Sequence, residues 1–241
     1  MELHTATTSK LDSYWQAFFA CACTNFDAPQ TLVVPHAELG EYHGILLFRR
    51  QQTLIISVPS TFPSAHRAEL GTMTIADFAD RATLYTRVGV PIERLVGPAF
   101  IGYADARTFQ PYHVGSVRLL TPHDEAAFHK FRASCPPMEW EHGGSSFGEH
   151  ELAGYFIEDE LAALAGYELW GTNIAHIAVV THPQHRGRGY GKGVVSFLSA
   201  IILRDHRIPQ YRTLCSNTPS MQIAAALGFA AYAESLAVRL V

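Results

Sequence analysis

The stretch 174–193, IAHIAVVTHPQHRGRGYGKG, limits the folds open to this chain more than any other. An apolar, β-rich run ends at Pro183. Glycines then fall at every second position, Gly187, Gly189, Gly191 and Gly193, and the apolar run VVSFLSAIIL follows, which predicts a buried helix. A strand that feeds a glycine-rich turn and then a helix exposes backbone N–H groups at a helix N-terminus, and such a cradle suits a phosphate. Glycine is needed there so that the ligand can come close to the backbone and so that φ can turn positive.

Spelling separates the phosphate loops that share this layout. A P-loop needs Gly five residues before its Gly-Lys pair and Ser or Thr after it. Here Gly191-Lys192 is preceded at that distance by Arg186 and followed by Gly193. The dinucleotide fingerprint G-x-G-x-x-G needs a third glycine at 192 or 194, where this chain has Lys192 and Val194. What fits is Q/R-x-x-G-x-G/A, written Arg186-Gly187-Arg188-Gly189-Tyr190-Gly191, with Gly189 six residues after Pro183. A register one step earlier, Gln184-x-x-Gly187-x-Gly189, also satisfies the pattern. With the preceding VVTHP, the segment resembles the acetyl-CoA loop of the GNAT superfamily of N-acetyltransferases.

A second segment supports the resemblance. Residues 211–229, YRTLCSNTPSMQIAAALGF, read as a strand (211–216), Asn217, a helix opened by Thr218-Pro219 and closed by Gly228, and a last strand over 229–240. That is the family's order. Upstream, 152–169 predicts two strands joined by a polar turn at 158–160, and 114–120 and 122–134 predict a first strand and first helix. The resemblance covers about 113–241. It implies an α/β (α+β) fold with a GNAT-like mixed, mostly antiparallel sheet flanked by helices, preceded by a smaller α+β N-terminal domain. The expected division is 1–112, of unassigned role, and 113–241, the acetyltransferase domain.

The N-terminal half carries no family signature. Ser9-x-x-Asp12 resembles a capping box, and Leu11, Tyr14, Trp15, Phe18, Phe19 and Ala22 follow at helical spacing. Cys21 and Cys23 are expected on that helix, pointing to different sides. A hairpin is expected over 44–58 with its turn at 50–52, and a helix from Thr74 that stops near Gly89. The passage between halves, 104–113, is not rich in Gly or Ser, so the halves are expected to pack together. The first half is expected to shape the acceptor pocket or to serve as a scaffold or homodimer surface.

Composition narrows the partners. The chain has 241 residues, 48% of them hydrophobic and 17% charged, enough for a full core. A net charge of −4 argues against nucleic acid or an anionic membrane as partner. No apolar run is long enough to span a bilayer, and the start, MELHTATTSKLD, lacks the order of a secretory signal. Four scattered cysteines suggest no disulfide framework, so a reducing cytoplasm is the expectation. Thirteen histidines show no zinc-type spacing, and no metal is expected.

The resemblance also implies site residues. Backbone N–H groups of 187–192, with Arg186, Arg188, Tyr190 and Lys192 around them, would hold the pyrophosphate of acetyl-CoA. The backbone of Val179, Val180 and Thr181 would pair with the pantetheine arm like an added strand. Asn217 and Ser220 match positions near the thiol, although Asn217 also suits a simple helix cap. Gly191 and Gly193 each cost a helix about 1 kcal/mol relative to Ala, which suggests close approach of phosphate or tight helix packing. The acceptor amine must lose a proton, and the candidate bases are Glu141, in the loop-like segment around Glu139 and His142, His176 and Glu168, with no single base as the alternative. Many family members carry a Tyr seven residues after the Asn to protonate the leaving thiolate. This chain has Ala224 there, which leaves Ser220, Cys215, Tyr190 or no acid at all. The expected activity is acetyl transfer to a primary amine of a small molecule or peptide. Use of another acyl-CoA, or a silent CoA-binding module, are the alternatives.

Overall fold

The computed structural model describes residues 2–21 and 25–241. In chain order the elements are α1 (Thr5–Phe18), β1 (Gln30–Pro35), β2 (Gly44–Arg50), β3 (Thr53–Val58), α2 (Ser64–Gly71), α3 (Arg81–Val88), β4 (Ile92–Tyr103), β5 (Val117–Leu119), α4 (Glu125–Ser134), α5 (Pro137–Gly143), β6 (Ala153–Ile157), β7 (Glu160–Trp170), β8 (Ile174–Thr181), α6 (Tyr190–Arg204), β9 (Ile208–Leu214), α7 (Thr218–Ala226) and β10 (Ala230–Leu240). Of the strand pairings whose register is described, β1 with β3 and β8 with β9 are parallel and the others antiparallel. The mixed, mostly antiparallel class is as the sequence implied.

The chain forms two compact units, and neither is a single stretch. One comprises Met1–His4, Gly102–Arg212 and Pro219–Ala230; the other comprises Thr5–Ile101, Thr213–Thr218 and Ala231–Val241. The division expected at 112/113 therefore does not follow the contact units, and independent folding of 113–241 is taken up below as a proposal.

In the first unit the strand order is β9-β8-β7-β6-β5. The β6–β7 hairpin turns through Glu158, which has φ 55°, as the polar 158–160 segment foretold. Helix α6 lies against β5 to β8. It is buried nearly all round through Val194, Val195, Leu198, Ile201 and Ile202, which is why its sequence is apolar on every face. On α4, Phe128 and Phe131 meet Leu152, Leu161, Leu164 and Val180 in a second core. The expected first strand is shorter than 114–120, and a 3₁₀ turn over Pro122–Asp124 precedes α4. Thr121 and Asp124 form the capping box there, and Arg118 grips the Asp124 carboxylate with its two terminal guanidinium nitrogens, donating at 2.7 and 2.8 Å.

In the second unit the order is β1-β3-β2-β10-β4. The 44–58 hairpin is present, turning at Gln51 with φ 49°. Three expectations need correction. Helix α1 begins at Thr5, so Ser9 and Asp12 lie inside it; Asp12 instead accepts from Arg50 and Tyr232 at 2.9 and 2.6 Å. That helix stops at Phe18, and Cys21 lies beyond it. Ala22 and Cys23 fall outside the described residues. The helix expected from Thr74 is a 3₁₀ segment, Ile75–Ala79, interrupted by Asp80, whose carboxylate caps α3 by accepting from Ala82 and Thr83. Helix α2 and strands β1 and β4 were not foreseen, β4 because Gly97-Pro98 breaks its apolar run.

Candidate functional site

The glycine-rich segment lies where the sequence places it. Strand β8 ends at Thr181, a 3₁₀ turn covers Pro183–His185, and Gly187 and Gly189 both adopt left-handed conformations, φ 75° and 82°. Gly189 is the N-cap of α6 and supplies no capping side chain. The first N–H groups of a helix have no partner within it. Here Gly189, Tyr190, Gly191 and Lys192 hold those positions, and the first bond of the ladder runs from Gly193 N–H to Gly189 O at 2.9 Å. An uncapped helix start of this kind, with the positive end of the helix dipole behind it, fits a pyrophosphate.

The later glycines have another reason. A Cβ on Gly191 would sit 2.7 Å from Thr181 Oγ1, with Ile223 and Val179 side chains just beyond, and one on Gly193 would strike Val114. Both residues are buried. Packing of α6 against its neighbours, the alternative weighed for these two positions, accounts for them.

The expected cations differ in what they are free to do. Arg186 forms an ion pair with Glu139, and both are about half exposed. The Lys192 ammonium lies 3.7 Å from the centre of the Tyr112 ring. Arg188 is exposed. Tyr190 stacks on Tyr155 at 3.9 Å between ring centres.

Strand β8 supplies the next part. It pairs with β7 along its whole length, from Trp170 opposite Ile174 to Ala163 opposite Thr181. Its parallel register with β9 covers only Ile174 to Ile177, opposite Ile208 to Tyr211. Val179, Val180 and Thr181 thus lie beyond the last rung. Helix α5 packs against β8 at this level: a Cβ on Gly143 would come 2.6 Å from Val179 O. The segment expected to be loop-like is therefore partly helical, and Pro137 at its first turn explains why helix forms there. Glu141 is on α5 and exposed.

His176 and Glu168 face each other as Cα partners across β7 and β8. Glu168 is exposed. The His176 ring stacks on Trp170 at 4.6 Å. Burial, and then the positive charge of Arg212, hold its pKa well below the usual value, at about 4, with the Gln210 side chain pulling weakly the other way. His176 thus lies one rung before the end of the β8–β9 ladder.

Ser220, on α7, shares a 2.8 Å hydrogen bond with the Tyr211 hydroxyl. Tyr211 occupies the last β9 rung, and burial pushes its phenol up to about 12. One turn further along α7, Ile223 reaches the Gly191 neighbourhood. Asn217 lies in the second unit, where its N–H donates to Leu214 O at 2.9 Å. Ala224 is buried with no hydroxyl to offer. Cys215 lies against Glu234 at 4.0 Å, and burial pushes its thiol up. Tyr211 was not among the expected site residues; nothing in a β-rich run distinguishes it from a core tyrosine.

Comparison with known proteins agrees with this geometry. Residues 156–238 match the FR47-like protein family, a GNAT-related family. A GNAT-family protein from Novosphingobium aromaticivorans aligns with TM-score 0.50 at 22% identity, over 62% of this chain and 66% of that one. A GNAT-family acetyltransferase from Colwellia psychrerythraea aligns with TM-score 0.52 at 14% identity, over 76% and 75%. Residues 156–238 thus match that family model, and the aligned part of the chain has the fold of these two structures. At these identities the solved structures speak for the fold alone, and the chain spans just under two thirds of the Novosphingobium protein. No curated protein matches. Among the described residues, no helix is long and apolar enough to cross a membrane, and no group of three or more His, Cys, Asp or Glu is placed to hold a metal.

Proposed function

We propose that this protein is a GNAT-type, acetyl-CoA-dependent N-acetyltransferase acting on a primary amine of a small molecule or peptide. The observation that carries this reading is the uncapped, left-handed glycine start of α6 next to a strand whose β9 partner ends at Ile177. The first fits a pyrophosphate, and the second leaves β8 an edge on which an extended acyl-pantetheine arm can lie. Acetyl-CoA supplies an activated thioester when bound. The residues of the chain then have mainly to position the amine and handle one proton.

His176 is the base this geometry favours. Its depressed pKa keeps the ring neutral at pH 7, with a nitrogen lone pair available to the amine proton. A base of pKa about 4 is weaker than the ideal near the working pH, so part of its role is to orient the amine for attack. Glu168, its Cα partner on β7, and Glu141 on α5 are the other candidates. The amine nitrogen forms a bond to the thioester carbon, the C–S bond breaks, and sulfur leaves as thiolate. With Ala224 in place of a tyrosine, the Ser220 hydroxyl donates a hydrogen bond to that sulfur. Tyr211, with its raised pKa, orients Ser220 and keeps its own proton.

The test is thiol release from acetyl-CoA with a panel of amines. His176→Ala is expected to lower turnover tenfold or more at pH 7, up to the ~10²–10⁴ typical of base removal, and Glu141→Gln to lower it less. Turnover with a longer acyl-CoA in preference to acetyl-CoA would identify a different acyltransferase. No thiol release with any amine, alongside intact CoA binding, would identify a silent CoA-binding module.

A further inference from the structure

His176 carries an unexplained atom. Its Nδ1 is enclosed by protein and has no hydrogen-bond partner, and the same is true of Gln210 Oε1. The two residues are Cα partners on the parallel β8–β9 ladder. Gln210 is fully buried. Its other amide atom is fixed, because Nε2 donates to the Tyr103 hydroxyl at 2.6 Å. In the structure the amide nitrogen thus faces Tyr103 and the oxygen lies on the other side. A buried donor or acceptor left unpaired costs about 1–3 kcal/mol. Two such groups, one able to donate and one only to accept, lie on residues paired across adjacent strands.

We propose that Gln210, anchored by Tyr103, is a positioning residue that holds His176 as the Nδ1–H tautomer and so leaves Nε2 as the proton acceptor for the amine. In a neutral imidazole one nitrogen donates and the other accepts, and the partner of the first sets the role of the second. Glutamine Oε1 has no proton to give, so it selects Nδ1–H. His176 is partly exposed although its Nδ1 is enclosed, so the exposure lies elsewhere on the residue. The stack against Trp170 fixes the plane of the ring. The arrangement follows the logic by which a partner on one imidazole nitrogen orients a histidine base. Here a neutral amide replaces the carboxylate, so the ring is oriented with only a small upward pull on its pKa, which burial and Arg212 outweigh. This inference rests on the reading of His176 as the base, but the tautomer itself can be measured independently of turnover.

The experiment is a ¹⁵N imidazole spectrum of the full chain at pH 7, with the His176 signals assigned by their loss in His176→Ala. The wild-type ring is expected to show Nδ1 protonated and Nε2 bare. Gln210→Met, which removes the acceptor, is expected to shift the ring toward the Nε2–H form that free imidazole prefers. It should also lower kcat about tenfold or more while leaving KM for acetyl-CoA unchanged. Tyr103→Phe, which frees the amide to turn over, should do the same to a smaller degree and guards against a Gln210 variant that does not fold. Nε2–H in the wild type would overturn the proposal, as would an unchanged tautomer in both variants. Nδ1–H as expected, with full turnover in His176→Ala, would leave the tautomer assignment standing and overturn the catalytic reading above.

Discussion

Gly187 and Gly189 have nearly the same backbone but different surroundings, which makes them a matched pair. Both are left-handed, with φ 75° and 82°. Forcing an L-residue into that region costs about 1–2 kcal/mol, so alanine at either position should destabilise by that amount. For a chain of this size each kcal/mol corresponds to roughly 2–4 °C in Tm, giving a drop of about 2–8 °C. The positions separate on contact. A Cβ on Gly187 meets nothing within 4 Å, while one on Gly189 comes 3.0 Å from Tyr112 Oη. Gly189→Ala should therefore cost more than Gly187→Ala. The next Tyr112 atom, Cζ, is 3.7 Å away, an ordinary contact. Removing the hydroxyl by Tyr112→Phe should thus bring the two alanine variants level. Thermal and urea unfolding of both alanine variants, in the wild-type and Tyr112→Phe backgrounds and against each parent, measure this directly. A rise in Tm for both alanine variants, as expected if the loop were ordinary helix, would refute the left-handed assignment. Equal costs with Tyr112 intact would refute the contact.

Three further outcomes follow from the same structure. The pKa of His176 is about 4 when folded and 6.5 ordinarily, so the unfolded chain binds more protons between those values. Stability is expected to fall as pH drops from 6.5 toward 4, and a His176→Gln variant should lose that part of the acid sensitivity in Tm measured across the window. Asp124 is held below the usual carboxylate range first by Arg118 and also by the Thr121 N–H and hydroxyl, so Asp124→Asn should cost about 1–3 kcal/mol in urea unfolding at pH 7, and less at pH 3. We propose that 113–241 retains CoA affinity as a fragment but loses most turnover, since it lacks Tyr103 beside Gln210 and leaves β10 without β2; an insoluble fragment would place the boundary elsewhere.

The parts of the fold legible in the sequence were those governed by local chemistry. The glycine alternation, Pro183 and the apolar helix predicted α6 and its left-handed start, because φ > 0 selects glycine whatever surrounds it. Asn217, Thr218-Pro219 and Gly228 marked α7 for similar reasons. The first 112 residues were less legible. Ser9 and Asp12 spell a capping box, but Asp12 is engaged by Arg50 and Tyr232, which lie far away in sequence. Strand β1 pairs parallel with β3, a non-adjacent partner that no hairpin signal announces. In the candidate site, the loop and β8 could be read in order, but Gln210 and Tyr211 could not. They differ from core strand residues only through contacts with His176 and Ser220, and those depend on how β8, β9 and α7 come together.

The central claim is that the N–H groups at the start of α6 receive a pyrophosphate. Gly189→Glu places a side chain and a negative charge at that point. Calorimetric titration with CoA is the most direct measurement, with circular dichroism to establish that the variant is folded. The expected result is saturable binding to the wild type and none to folded Gly189→Glu. Unchanged CoA affinity in the folded variant would contradict the assignment of the loop and the function proposed from it.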